Sequence, residues 1–108
     1  MTEKGNRTAM RTERVSGAMV ASMAHRLDGW LSEAGATESS RLSVDLADIY
    51  AACAIISQSI EHLISSELSS DEKLRALIEI ETWAYGDLSY HLRRMRAPLT
   101  QLINQQPE

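Results

Sequence analysis

Residues 42–63 read LSVDLADIYAACAIISQSIEHL. Leu42, Leu46, Ile49, Cys53, Ile56, Ile60 and Leu63 recur in this stretch at alternating spacings of four and three. That alternation keeps side chains on one helical face, the stripe against which a partner helix packs. The rhythm returns after Ser69 and Ser70, through Leu74, Ile78, Glu81, Tyr85, Leu88, Leu92, Met95, Leu99 and Leu102. Beside its stripe the first stretch also carries Val44, Ala47, Tyr50, Ala51, Ala52, Ala54 and Ile55, so it is apolar nearly all round. A helix apolar on every side is a central one, buried by several neighbours.

Working outward, Val20, Met23, Leu27, Trp30 and Ala34 repeat at threes and fours. They predict a first helix from Arg11 to Ala34, closed by Gly35 in the left-handed C-cap conformation. The second helix is expected from Thr37 or Ser39 to Ser66. Ser69 with Glu72 has the spacing of a capping box and opens a third helix at Ser70. Pro98 cannot donate to the carbonyl one turn back, so this helix is expected to kink or stop at Ala97, with Pro98 to Asn104 as a short fourth helix. Short connections make neighbouring helices antiparallel. The expected fold is therefore all-α: an antiparallel bundle of three long helices with a kinked or broken C-terminal helix. Residues 1–9 lack periodicity and read as a mobile arm, with 10–108 forming a single helical domain.

Composition supports this reading. Of 108 residues, 44 % are hydrophobic and 24 % charged, the balance of a globular chain; Phe is absent and the five aromatics are two Trp and three Tyr. A core of Leu, Ile, Met and Ala suits helices and leaves little for a sheet. No stretch approaches the roughly 20 apolar residues that span a bilayer, and nothing resembles a secretory signal, so a cytoplasmic protein is expected. The lone Cys53 sits in the stripe and is read as a core filler.

Signs of chemistry are few. The three histidines show neither Glu-x-x-His nor His-x-x-x-His spacing, and no phosphate-binding glycine loop occurs, so no metal, cofactor or catalytic residue is expected. Pairing the second and third helices about Glu67 and Leu68 brings Asp45 level with His91, one turn from Asp87. These groups flank the apolar stripe and are read as an ion pair that helps choose the register. Glu81 stands in a stripe position, where a carboxylate needs a partner or a solvated edge.

Two same-chain neighbours leave one side of the central helix bare. Val44, Ala47, Ala51, Ala52, Ile55 and Ile64 are accordingly expected at a dimer or partner interface. The function expected is non-enzymatic: a small regulator that binds another protein through apolar helix faces, such as an inhibitor or anti-activator sequestering a transcription factor. The alternative is a dimeric nucleic-acid-binding protein using Arg7, Arg11 and Arg14 with Arg93, Arg94 and Arg96. A net charge of −4 and an acidic middle weaken it, because nucleic acid favours one continuous basic face.

Overall fold

A computed structural model describes residues 16–106, and all regular structure in them is helical. Helix α1 spans Gly17–Glu33, α2 Ser39–Ile64, α3 Ser70–Glu81 and α4 Ser89–Gln105. A π-helical turn, Thr82–Leu88, joins α3 to α4 without a loop, so these three segments form the third rod of a helical bundle. The expected arm at 1–9 and the start of the first helix at Arg11 lie outside the described residues.

Local chemistry sets the helix ends. Ser16 caps α1 by accepting the Met19 N–H at 3.1 Å. At the other end Gly35 has φ +100°, its N–H bonds the Ser32 carbonyl, and the Ala36 N–H reaches back to Leu31 at 3.0 Å. This is the Schellman arrangement, and Ala36 joins Leu31 in the core behind it. The capping box on α3 is reciprocal: Glu72 N–H donates to Ser69 Oγ at 3.2 Å, and Ser69 N–H donates to Glu72 Oε1 at 2.8 Å.

Leu31, Leu42, Met95 and Leu102 form the core, with Leu27, Leu46, Ile49 and Leu99 packed on it. It lies where the α1–α2 turn meets the end of α4, and the Gln106 side chain ties that corner by donating to the Ala34 carbonyl at 3.2 Å. Helix α2 is central as expected: it packs on α1 and on the third rod, whereas no α-carbon of α1 comes within 8 Å of that rod. The described residues extend 53 × 27 × 22 Å. Among them, no helix is long and apolar enough to cross a membrane.

Three expectations need correction. In α2 the inward line is Leu42, Asp45, Ile49, Ala52, Ile56, Ser59 and Leu63, so Cys53 and Ile60 are exposed where core was expected. Small or polar residues take the inward places because α2 meets its neighbours closely and has partners for them across the interface. Trp30 of α1 is likewise exposed, and Leu31 is the buried residue. Pro98 ends nothing, because α4 continues through it to Gln105. A proline interrupts one backbone hydrogen bond, and here the flanking turns hold.

The discontinuity lies instead at the π turn. Counting in threes and fours from the buried Ala76 leads to Ile80, Trp83, Asp87, Tyr90, Arg94, Ala97 and Gln101. The buried residues of α4 are His91, Met95 and Leu102, one position later. A π turn accommodates one extra residue, and that residue re-phases the rod.

The glycines provide a check with opposite signs. Gly35→Ala should lower unfolding free energy by about 1–2 kcal/mol, since a side chain is strained at its positive φ. Gly29→Ala, inside α1 with open space around it, should raise stability by about 0.5–1 kcal/mol. Urea unfolding of both variants measures the difference.

Candidate functional site: a buried carboxylate–histidine cluster

Asp45 and His91 meet as the sequence register expects, but inside the interface rather than beside it. Asp45 is 1 % exposed and His91 8 %. The His91 Nδ1 lies 2.7 Å from Asp45 Oδ1. Its Nε2 faces Asp48 Oδ2 at 3.4 Å and Asp87 Oδ1 at 3.5 Å. The placement follows from the chain. Asp45 and Asp48, three apart, share one side of α2, while Asp87 and His91, four apart, share one side of the third rod. The π turn brings His91 inward.

Arg94 completes the cluster. Its Nη1 donates to the Tyr90 hydroxyl at 2.9 Å, and its guanidinium carbon lies 5.3 Å from the Tyr90 ring centre. The Arg94 pKa is raised further, first by that hydrogen bond and then, against partial desolvation, by the charge of Asp45. Arg94 Nε is 3.5 Å from Asp45 Oδ2, yet both atoms are buried without a hydrogen bond. Their attraction is therefore charge without directed bonding. Tyr90 also presents its ring edge-on to His91, with centres 5.2 Å apart.

Both imidazole nitrogens face carboxylate oxygens: Nδ1 is within hydrogen-bond distance of the buried Asp45, and Nε2 lies further from the half-buried Asp48 and Asp87. Among the described residues, no group of three or more His, Cys, Asp or Glu side chains could hold a metal ion. A second polar contact crosses the same helix pair further along, where buried Ser59 Oγ donates to Glu79 Oε1 at 3.0 Å.

The expected site residues are dispersed differently. Val44 and Ile64 are exposed, Ala51 and Ile55 half-buried. Ala47 and Ala52 are fully covered by the chain's own helices and offer a partner no surface. Glu81 is exposed at the end of α3 and needs no buried partner. Of the C-terminal arginines, Arg93 and Arg96 face solvent while Arg94 belongs to the cluster; Arg7, Arg11 and Arg14 lie outside the described residues. Sequence reasoning missed Asp48 and Arg94 as cluster members. The spacing Asp45-x-x-Asp48 opposite His91-x-x-Arg94 was the available signal.

No protein-family model, no curated protein and no solved structure matches this chain.

A double-mutant cycle tests the cluster. His91→Leu alone should cost about 3–5 kcal/mol, because Asp45 is left buried with only a poorly aligned cation. Asp45→Leu combined with His91→Leu should recover at least half of that loss, since apolar replacement of both partners removes the unpaired charge. Urea unfolding gives the coupling. Single variants costing under about 1 kcal/mol would show a pair of ordinary surface strength.

Proposed function

We propose that this chain is a small, non-enzymatic cytoplasmic regulator that works by covering an apolar surface of another protein. Its most concrete form is an anti-activator that occupies the oligomerisation surface of a transcription factor. In this reading the three helices run antiparallel, and two copies associate along α2 through Val44, Ala51, Ile55 and Ile64.

One observation carries the proposal. Thirteen large hydrophobic side chains are exposed among the described residues, Ile64 to 80 % and Tyr85 to 79 %, while the buried core has only four large members. Single exposed apolar residues are normal, but a helical chain that leaves this many of them exposed, with others only half-buried, is suited to burying them against a partner. The polar cluster supports the same view, since it ties α2 to the third rod and so orders a scaffold. Nucleic-acid binding is the weaker reading, because Arg94 is committed to Tyr90 and Asp45.

The test uses affinity purification from the native cell, then quantitative binding of the recovered partner. Val44→Glu and Ile64→Glu, both at exposed positions, should leave helix content unchanged and weaken binding by about tenfold or more, as hot-spot losses do. Replacing Arg93 and Arg96 together by Gln should cost less than about threefold, since rim charges affect mainly encounter rate. The reverse pattern would favour nucleic acid. Self-association is checked separately: the wild type should sediment as a dimer at micromolar concentration and Ile55→Glu as a monomer, and a monomeric wild type removes the second copy from the proposal.

A further inference from the structure

The outer face of α3 carries a regular stripe that the described residues leave uncovered. Asp71, Leu74, Ile78, Glu81 and Tyr85 follow one another at spacings of three and four, and all five are exposed. Leu77 stands exposed beside them. The face towards α2 is a different one, marked by Ala76 and Ile80. A stripe of this period fits the side chains of one further helix, knobs into holes.

The charge around the stripe selects the kind of helix. From residue 70 to residue 85, which carry the stripe, the chain has four acids and two bases, Lys73 and the exposed Arg75, a local net charge of −2. Two of the acids, Asp71 and Glu81, lie in the stripe itself. A second copy docked on the same face would bring two such regions together, at a repulsive cost. A helix with basic flanks would be drawn to it and would pair with Asp71 and Glu81 as it docks. Resting on the protein-binding reading above, we infer that the outer face of α3 is a docking site for an amphipathic helix whose apolar stripe is flanked by Lys and Arg.

Two synthetic peptides test this against the full chain. They share one Leu stripe at threes and fours and carry either Lys and Arg or Glu on its flanks. Fluorescence anisotropy should show the basic peptide binding about tenfold or more tightly than the acidic one, with the preference shrinking as salt rises from low to physiological strength and beyond. Leu74→Ser with Ile78→Ser, both exposed and so compatible with an unchanged circular dichroism spectrum, should abolish binding of the basic peptide. Asp71→Asn with Glu81→Gln should keep binding but flatten its salt dependence. Equal affinity for both peptides overturns the choice of a basic helix while leaving an apolar docking surface in place. So does a dimer in sedimentation that Leu74→Ser with Ile78→Ser dissociates, because a second copy then occupies the stripe. If neither peptide binds and Val44→Glu and Ile64→Glu leave the native partner's affinity unchanged, both this inference and the protein-binding reading fall.

Discussion

The pairing of α2 with the third rod turns on one buried polar contact, between the Asp45 carboxylate and the His91 ring. Asp45 is 1 % exposed and its Oδ1 lies 2.7 Å from His91 Nδ1. Sliding the helices by one turn would break that contact and bring Asp87 with Leu88, or Arg94 with Met95, level with Asp45 instead; a buried carboxylate that loses its partner costs several kcal/mol. An apolar interface built from Leu and Ala tolerates such slips far better, because its layers resemble one another. The polar cluster therefore contributes less to total stability than to choosing one alignment. Ser59 and Glu79 repeat the device near the other end of the same interface.

The π turn is the local cost of that choice. An uninterrupted α-helix that begins with Ala76 and Ile80 inward would present Tyr90 and Arg94 to α2, leaving His91 and Met95 at the edge. One extra residue within Thr82–Leu88 rotates the rest of the rod, so that His91 reaches Asp45 and Met95 and Leu102 reach the core. The same rotation explains a feature of the surface. The long stripe from Leu74 to Leu102 is continuous in sequence but changes sides in space. Its second half helps to fill the core; its first half faces solvent.

For this reason the fold is unevenly legible in the sequence. Helix content, the central place of α2, the Gly35 end of α1 and the capping box at Ser69 and Glu72 each depend on a local pattern, and each is found. The level of Asp45 with His91 comes from counting along a hairpin, and it also holds. The pattern hides orientation. Apolar spacing alone cannot say which of two apolar faces turns inward, so it assigns Cys53, Ile60 and Trp30 to a core they do not enter. Asp45, Ala52 and Ser59 carry too little hydrophobicity to compete in such a pattern. They win in the structure because two have polar partners opposite and the third is small enough for close approach. A π turn leaves no compositional mark, and the stop that Pro98 could signal does not occur.

The cover provided by α1 bears on where function resides. Its described residues pack chiefly on α2, with Leu31 reaching the core shared with Met95 and Leu102, and the large core residues collect at the corner where the α1–α2 turn meets α4. The opposite end, around Ile64 and the start of α3, has the most exposed large aliphatic residue and a run of carboxylates beside it. The large core residues thus collect at one end of the rod, whereas exposed apolar side chains occur at both, Trp30 and Ile103 near the core and Ile64 and Leu74 away from it. A ligand that binds the folded chain alone stabilises it in proportion to the logarithm of its concentration over its dissociation constant. Helices held by few large core contacts have the most to gain from such binding. The end around Ile64, away from the large core residues, is then a part where a partner's binding energy would act strongly on folding.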